Sequence, residues 1–314
     1  MTLLVPQADG IAQHCAERLP QATVLSYETV RSDETARPGQ FDDVTFYCLP
    51  YMGDAASIAL ISELPALAVI QSLSSGVDDV LGAVPPTATL CNGRGLGHEE
   101  GTAELAVALI LASLRQIPRF AGQQSQRTWQ HVRTESLLGQ RVLLVGHGAI
   151  GSAIEDRLAP FGAQVDKTSR TPKESVRPLS DLPALAASAD VLIVCIALTP
   201  QTAGLIDADV LAALPDHALV VNVARGPVID AGALASELAS GRLRAALDVT
   251  DVEPLPADRP EWALPNVLIT PHIGGDTFDF ARRAAGFVAE QAARHVAGQP
   301  LVNVVRAAAA RSVD

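Results

Sequence analysis

A histidine and a glutamate stand after two consecutive apolar runs, in positions suited to proton transfer. His272 lies between Pro271 and Gly274-Gly275, directly after one run, and Glu253 follows the run before it. Neighbouring parallel strands are about 4.8 Å apart, so side chains from adjacent strand ends can meet. A carboxylate beside an imidazole favours the charged ring and fixes its orientation. The pair predicts general acid–base chemistry at an oxygen atom, with a structural histidine as the alternative.

Arg225 supplies a cation after a third apolar run, within the segment Val223-Ala224-Arg225-Gly226. A guanidinium binds a carboxylate through two parallel hydrogen bonds, a geometry that an ammonium does not reproduce. Because the chain has a formal net charge of -12, an acidic substrate needs a local cation of this kind. We therefore predict that Arg225 binds the carboxylate of a small substrate. The alternative is a structural ion pair with Asp230 or Glu237.

A glycine fingerprint follows the apolar run Val142–Val145 and opens a predicted helix. Its first glycine permits a tight turn, its second lets the backbone approach a pyrophosphate, and its third lets helix and strand pack closely. The N-terminus of a helix also favours phosphate charge. The predicted dinucleotide-binding residues of this loop are Gly146, His147, Gly148, Ala149, Ile150 and Gly151.

The end of the next predicted strand bears on the choice between NAD and NADP. An acid about 20 residues after the fingerprint usually binds the ribose hydroxyls of NAD and would repel a 2'-phosphate. Here the position holds Ser169, followed by Arg170 and Thr171, whereas Asp166 lies within the predicted strand. A hydroxyl beside a guanidinium binds phosphate through charge-assisted hydrogen bonds. The sequence therefore favours NADP, with NAD as the second candidate; alternatively, Arg170 is a solvated loop charge.

These segments together predict hydride transfer between a nicotinamide nucleotide and a small 2-oxo or 2-hydroxy acid. Hydride delivery to a carbonyl carbon builds negative charge on the oxygen, to which a protonated imidazole can donate. In the opposite direction, the neutral imidazole of His272 would take the hydroxyl proton.

Two alternations of apolar strands and helical patterns must position these residues, and they predict α/β domains with parallel sheets. The first covers about a hundred residues and includes a helix after Gly76; four glycines within residues 92–101 then mark a hinge. The second contains six predicted strands in the order 3-2-1-4-5-6. The predicted strands are Leu3–Pro6, Thr23–Tyr27, Val44–Pro50, Ala68–Leu73 and Thr87–Cys91, then Arg141–Val145, Gln164–Thr168, Val191–Ala197, Leu219–Ala224, Ala245–Val249 and Val267–Thr270.

A last predicted helix, Phe278–Ala297, carries the chain back so that Leu301–Val305 rejoins the first domain. The expected fold is therefore two doubly wound parallel-sheet domains. Residues 1–97 with 287–314 form a flavodoxin-like substrate (catalytic) domain, and residues 98–286 form a Rossmann dinucleotide-binding domain.

Composition restricts the remaining classes of function. The chain has 314 residues, of which 48% are hydrophobic, so it can bury two cores. Its longest apolar run, Leu105–Leu114, is about half a membrane span, and the N-terminus lacks the pattern of a signal peptide. The net charge of -12 disfavours nucleic acid. We expect a cytoplasmic protein without a metal site, whose reduced, buried thiols are Cys15, Cys48, Cys91 and Cys195.

With these motifs in place, the chain resembles the D-isomer-specific 2-hydroxyacid dehydrogenase family, in particular its glyoxylate/hydroxypyruvate reductases. The similarity runs through most of the second domain and more thinly through Ser75-Gly76-Val77-Asp78 and residues 92–104. The segments that carry it are Thr199-Pro200-Gln201-Thr202, Asn222-Val223-Ala224-Arg225-Gly226, Asp248-Val249 with Glu253-Pro254, and Pro271-His272-Ile273-Gly274-Gly275.

The resemblance implies that Arg225, Glu253 and His272 are catalytic and that Asp248 contacts the nicotinamide carboxamide. It implies that backbone amides around Ser75 and Gly76 help to hold the substrate carboxylate, and that Arg225 and His272 also bind the substrate. It also implies a closing cleft and a homodimer joined through the cofactor domains. The remaining expected cofactor contacts are Val223, Ala224, Arg225, His272, Gly274 and Gly275.

The sequence departs from the family at Ala197, which replaces a usual proline, and at Ser169, which replaces a usual acid.

We expect NADPH-dependent reduction of glyoxylate or hydroxypyruvate to the D-hydroxy acid. Glu253 disfavours a formate dehydrogenase, and the short stretch after the last helix disfavours a phosphoglycerate dehydrogenase with a regulatory extension. Oxidation of phosphite or another small anion, and a dinucleotide-sensing corepressor-like role, remain alternatives. The candidates for lining the substrate pocket are Tyr51, Met52, Gly53 and, from a partner subunit, Trp129.

Overall fold

A computed structural model describes residues 1–28, 39 and 41–309. The chain divides into two compact units, Met1–His98 with the residues from Asp276 onward, and Glu99–Gly275. Both are built on mainly parallel sheets, which confirms the expected fold class. The division expected after residue 286 would fall within a helix. The structure assigns that helix whole to the first unit, because its apolar face packs there along its length.

The first unit has a six-stranded sheet. Its strands are β1 (Thr2–Val5), β2 (Thr23–Ser26), β3 (Val44–Cys48), β4 (Val69–Gln71), β5 (Thr89–Cys91) and β13 (Val304–Arg306); its helices are α1 (Ile11–Arg18), α2 (Ala55–Ala59) and α9 (Phe278–Val296). The order is β13-β5-β4-β3-β1-β2. The first five strands are parallel in the 2-1-3-4-5 order of flavodoxin-like folds.

The returning chain closes this unit as predicted. Thr277 caps α9 by accepting the Phe280 N–H at 3.1 Å. Residues spaced by four, Phe280, Ala284 and Val288, bury one face of α9 against the sheet. Strand β13 then pairs antiparallel with β5.

The predicted helix after Gly76 is wrong. Residues 78–83 form turns instead, with Val77, Val80 and Val84 buried beneath the sheet. Gly82 weakens helix formation, and Pro85 disfavours helical geometry at the residue before it. The segment between the loop after β4 and Pro85 is therefore too short to offset the free-energy cost of helix nucleation.

The second unit has a seven-stranded, all-parallel sheet in the order β12-β11-β10-β9-β6-β7-β8. Its strands are β6 (Arg141–Val145), β7 (Gln164–Ser169), β8 (Arg177–Pro178), β9 (Val191–Val194), β10 (Leu219–Asn222), β11 (Arg244–Leu247) and β12 (Val267–Ile269). Its helices are α3 (His98–Leu114), α4 (Ile117–Ser125), α5 (Ala149–Leu158), α6 (Leu182–Ala186), α7 (Ala208–Ala213) and α8 (Ala231–Ala239). Apolar clusters cover both faces of the sheet, as a parallel sheet requires.

The predicted strand order needs one correction. The short β8 pairs with β7 and is the true third strand, which the sequence concealed because two residues make no apolar run. Strand β9 therefore lies beside β6, and it separates β10 from β6. The expectation that the run at Leu219 neighbours the glycine-loop strand was wrong. The chain reverses direction across the sheet between β6 and β9, so the doubly wound topology is kept.

Across residues 1–28 and 41–309, no single helix is long and apolar enough to cross a membrane; α3 and α4, which meet at a 65° bend, pass that test only as a pair and only by length and composition.

Candidate active site

His272 and Glu253 are in direct contact at the carboxyl edge of the second sheet. The Nδ1 atom of His272 lies 2.7 Å from a carboxylate oxygen of Glu253. Glu253 follows β11 and His272 follows β12, which are neighbours in the sheet. The His272 side chain is 24% exposed and that of Glu253 is 33% exposed, so a ligand can reach both.

The ionisation state of Glu253 decides which atom of this contact carries the proton. Burial by itself would raise the pKa of Glu253, but the hydrogen bond and charge of His272, the Thr250 N–H and the charge of Arg225 lower it overall. The Thr250 N–H donates to Glu253 at 3.0 Å. Glu253 is therefore a carboxylate at neutral pH and only accepts hydrogen bonds. The proton in the contact belongs to Nδ1 of His272, which leaves Nε2 to exchange a proton with a substrate.

The backbone at His272 has a φ of 55°, a left-handed conformation that non-glycine residues adopt rarely. Such geometry costs about 1–3 kcal/mol and persists only where its surroundings fix it. Asp248, which is 3% exposed, supplies that support. Its carboxylate accepts the Ile273 N–H at 2.9 Å, the Gly274 N–H at 2.8 Å and the Thr270 hydroxyl at 2.6 Å.

Asp248 is therefore tied to the turn that carries the imidazole, a role that the sequence did not indicate. Its backbone carbonyl also accepts the His272 N–H at 2.8 Å. Gly274 completes the packing, because an added Cβ would lie 3.0 Å from the Asp248 carboxylate. The neighbouring Gly275 is buried as well.

Arg225 follows β10, the strand beside β11, so the three predicted catalytic residues lie on three adjacent strand ends. Its guanidinium is half-buried and donates to the carbonyl of Ala224 at 2.9 Å. The side chain of Asn222 braces the turn by accepting the Ala224 N–H at 3.0 Å and donating to the Arg225 carbonyl at 3.1 Å. Val223, the first residue of the turn, is buried.

The two carboxylates considered as structural partners of Arg225 have other contacts. Asp230 caps α8 by accepting the Ala233 N–H at 2.9 Å. Glu237 lies 2.6 Å from the guanidinium of Arg242. Instead, the charge of Arg225 acts on Glu253, whose pKa it helps to lower.

The glycine fingerprint fits a dinucleotide pyrophosphate. Gly146 has a φ of 109°, and a Cβ there would lie 2.7 Å from the backbone nitrogen of Ile196. A Cβ at Gly151 would lie 2.3 Å from the Gly146 carbonyl. Gly148 faces open space at the start of α5, which has no side-chain cap. The first and third glycines are required by packing, and the second leaves the helix N-terminus open to phosphate.

His147, by contrast, turns its side chain inward. Its Nε2 lies 2.7 Å from a carboxylate oxygen of Glu155 on α5, and Lys167 on β7 binds the other oxygen at 2.5 Å. Burial alone would raise the pKa of Glu155, but the hydrogen bonds from Lys167 and His147 lower it. His147 can therefore offer a ligand its backbone, while its ring ties the loop to α5 and β7. The following residues Ala149 and Ile150 form the first turn of α5.

The end of β7 carries the predicted NADP determinants on the surface. Ser169 ends the strand, and its hydroxyl donates to the Thr171 carbonyl at 2.7 Å. Arg170 is exposed, and Asp166 lies inside the strand as predicted. A second cation was missed: the ammonium of Lys173 lies 3.5 Å from the His147 carbonyl of the glycine loop.

In the first unit, Ser75 and Gly76 lie in the loop after β4. The loop is fixed because Asn92 donates to the Ser75 carbonyl at 2.8 Å and His98 Nε2 lies 2.6 Å from the Leu73 carbonyl. The Ser75 hydroxyl is buried and, within the described part of the chain, has no hydrogen-bond partner. An orphaned hydroxyl of this kind suits a ligand oxygen.

The candidate pocket residues differ in their surroundings. Tyr51 packs against His98 and Phe280, with ring centroids 5.6 and 4.5 Å apart. Met52 is 50% exposed, and Gly53 approaches the hydroxyl of Ser57. In the second unit, Trp129 is 98% exposed.

Known proteins resemble this chain in both sequence and fold. Residues 107–274 match the model of the D-isomer specific 2-hydroxyacid dehydrogenase NAD binding domain. A glyoxylate/hydroxypyruvate reductase of Arabidopsis thaliana is 33% identical over 80% of this chain and 82% of its own length. A D-3-phosphoglycerate dehydrogenase of Mycobacterium tuberculosis is 34% identical over 76% of this chain but 47% of its own, so this chain spans about half of that relative.

A D-isomer specific 2-hydroxyacid dehydrogenase of Xanthobacter autotrophicus Py2 has been solved in complex with NADPH and MES. It is 32% identical and superposes with a TM-score of 0.77 over 97% of this chain and 98% of its own. Family model, relatives and fold agree: the chain belongs to the D-isomer specific 2-hydroxyacid dehydrogenase family.

Proposed function

We propose that the protein transfers a hydride between NADP(H) and a small 2-oxo or 2-hydroxy acid, reducing glyoxylate or hydroxypyruvate to the D-hydroxy acid. The observation that carries this proposal is the 2.7 Å contact between His272 and the ionised Glu253, on strand ends next to the one that bears Arg225. The name of the Arabidopsis relative, a glyoxylate/hydroxypyruvate reductase, supports the substrate class.

Each of the three residues has a defined part in the reaction. Arg225 binds the substrate carboxylate through two hydrogen bonds and so orients the carbonyl group. The nicotinamide, when bound, supplies the hydride to the carbonyl carbon. His272 donates the proton on Nε2 to the carbonyl oxygen as that oxygen becomes negative, and afterwards regains a proton from solvent. Glu253 holds the ring in one orientation through Nδ1 and opposes the positive charge of the imidazolium.

Further residues are proposed as ligands. Backbone amides around Ser75 and Gly76 help to hold the substrate carboxylate, supported by the contacts of Asn92 and His98 that fix this loop. Asp248 contacts the nicotinamide carboxamide, since a carboxylate has about four acceptor sites and three donors occupy it here. The proposed contacts to the rest of the dinucleotide are Gly146, His147, Gly148, Ala149, Ile150, Gly151, Val223, Ala224, Arg225, His272, Gly274 and Gly275.

The preference for NADP is inferred from the end of β7. Ser169, Arg170 and Thr171 would bind the 2'-phosphate, and Lys173 adds a second cation beside the glycine loop. The Xanthobacter relative solved with NADPH supports this preference. Reduction is the direction we propose, because a site selective for a 2'-phosphate draws on NADPH, the usual biosynthetic reductant.

Assembly, domain roles and location are part of the same proposal. Unit Glu99–Gly275 is the cofactor domain, and the other unit is the substrate domain. A homodimer through the cofactor domain is supported by Trp129, Leu138 and Ile117, large apolar side chains that are 98%, 74% and 54% exposed. A cytoplasmic location is supported by the free thiols of all four cysteines.

The test is a steady-state assay of the purified protein with NADPH or NADH and a panel of 2-oxo acids, together with phosphite and NADP⁺. We expect turnover of glyoxylate or hydroxypyruvate, with a higher kcat/KM for NADPH. Tight NADPH binding without turnover above a His272→Ala background would refute the enzyme proposal and favour a dinucleotide-sensing protein. Turnover of phosphite alone would refute the proposed substrate class.

A further inference from the structure

The guanidinium of Arg259 is held between two carboxylates in the segment that carries Glu253. It forms a fork with Asp251, with N–O distances of 3.1 and 3.2 Å. It forms a second fork with Glu261, with distances of 2.8 and 3.2 Å. Arg259 therefore links the beginning of the segment between β11 and β12, where Asp251 lies, to its end, where Glu261 lies.

One arm of this link fixes the turn around Glu253. Asp251 lies two residues before Glu253, and its neighbour Thr250 donates its N–H to the Glu253 carboxylate at 3.0 Å. The Thr250 carbonyl packs so closely on Gly226 that a Cβ there would lie 1.9 Å away. Movement of residues 250 and 251 would thus disturb both Glu253 and the turn that carries Arg225.

The other arm is anchored to the sheet. Glu261 is 8% exposed and lies in the 3-10 helix Pro260–Ala263, directly before β12. The Glu261 carbonyl accepts the Leu264 N–H at 3.4 Å, and the Leu264 carbonyl accepts the Val267 N–H at 3.2 Å. These hydrogen bonds connect Glu261 to β12, the edge strand that leads to His272.

Electrostatic attraction keeps the guanidinium of Arg259 paired with the carboxylate of Glu261. The hydrogen bond from Arg259 is the largest influence on Glu261 and lowers its pKa. A nearly buried carboxylate without a partner is costly, so Glu261 retains the guanidinium. A lysine could neutralise the carboxylates but could not form both forks at once.

We propose that Arg259 is a positioning residue that holds Glu253 against His272. The proposal rests on the proposed function only for its effect on turnover; the positioning itself is a property of the protein without substrate. Arg259 does not touch the reacting atoms. It acts by holding the turn at Asp251 in a fixed position relative to β12.

The test uses Arg259→Gln with Arg242→Gln as a matched control. Arg242 is 25% exposed and Arg259 is 28% exposed, and each is paired with a glutamate. Arg242 lies two residues before β11, at the opposite end of that strand from the segment of Glu253. Carbon-13 NMR of glutamate-labelled protein would follow the Glu253 carboxyl group, assigned through Glu253→Gln, while kcat and KM are measured in parallel.

In Arg259→Gln we expect the Glu253 titration to move to higher pH. Burial raises the pKa of Glu253, while His272, Thr250 and Arg225 lower it, so loosened contacts to these three raise it. Arg259→Lys keeps the positive charge but cannot form both forks, so a rise in that variant as well reports loosened contacts and not a lost charge. We expect kcat to fall about tenfold, as for a displaced catalytic group, with the KM for NADPH within about twofold of wild type. Arg259→Lys should give an intermediate kcat, and Arg242→Gln should change neither titration nor kcat.

An unchanged Glu253 titration in Arg259→Gln, with kcat equal to that of Arg242→Gln, would overturn the proposal and leave Arg259 as a structural ion pair. Should Arg259→Gln fail to fold, Asp251→Asn releases only the arm at Glu253 and is judged by the same two readouts. If wild type reduces no 2-oxo acid, the proposed function fails, whereas the titration still decides whether Arg259 positions Glu253.

Discussion

Nδ1 of His272 donates to the Glu253 carboxylate at 2.7 Å, and the backbone that presents this ring is bonded to the buried carboxylate of Asp248. One acid therefore orients the ring and another fixes the turn. Both follow β11, and the histidine follows the neighbouring β12.

The contact should make stability depend on pH. The pKa of Glu253 in the folded protein lies below its ordinary value of 4.5, so its ionised form adds stability above the unfolded-state pKa, and this contribution is lost as the pH falls through the folded pKa. We expect wild type to exceed Glu253→Gln in unfolding free energy near pH 7, and the difference to shrink below pH 4.5. Urea denaturation across this range measures it.

A double-mutant cycle supplies the control for that experiment. In the His272→Ala background, Glu253→Gln should cost less stability, because the principal hydrogen-bond donor is already gone. A difference between wild type and Glu253→Gln that stayed constant with pH would contradict the assigned ionisation.

Asp248→Asn should damage the turn at His272. Asp248 accepts through both carboxylate oxygens, whereas asparagine would direct an NH₂ group at one of the donors. We expect a loss of about 1–3 kcal/mol in unfolding free energy, together with a lower kcat. Asp207→Asn is the control, because Asp207 caps α7 through a single N–H at 2.9 Å and asparagine is an equally good cap. Equal losses in the two variants would argue against the role assigned to Asp248.

Arg170→Ala should weaken NADPH binding much more than NADH binding. The lost hydrogen bond to a charged 2'-phosphate corresponds to about 2 kcal/mol. Fluorescence titration with both nucleotides measures the difference. Arg177→Ala serves as the control, because the Arg177 guanidinium lies near the same sheet edge but pairs with Asp181 at 2.6 Å. Equal weakening of NADPH and NADH in Arg170→Ala would exclude the phosphate contact.

The strand ends that carry the three proposed catalytic residues were predictable because each residue lies in the loop after an apolar run. Runs such as Leu219–Asn222 predict buried parallel strands, and parallel strands place their carboxyl ends at one edge. Arg225, Glu253 and His272 then fall together without knowledge of any side-chain contact. The strand order was predicted less well, since β8 has two residues and leaves no apolar signal.

The supporting contacts could not be predicted in this way. Nothing in the sequence states that His272 adopts a positive φ, so the need for Asp248 to bind the following amides is invisible there. Arg259 has acidic residues on both sides in the sequence, and only the fold shows that Asp251 and Glu261 share it. Lys173 likewise reaches the glycine loop through a turn whose geometry the sequence does not specify.

The most direct test of the account compares wild type with His272→Ala in NADPH-dependent reduction of glyoxylate and hydroxypyruvate, with the Kd for NADPH measured on the same samples. His14→Ala, which changes an exposed histidine on α1, is the control. We predict that His272→Ala lowers kcat by about 10²–10⁴-fold, the usual contribution of a general acid, while the Kd for NADPH changes less than about threefold. A His272→Ala variant that retains wild-type kcat would contradict the proposed proton transfer.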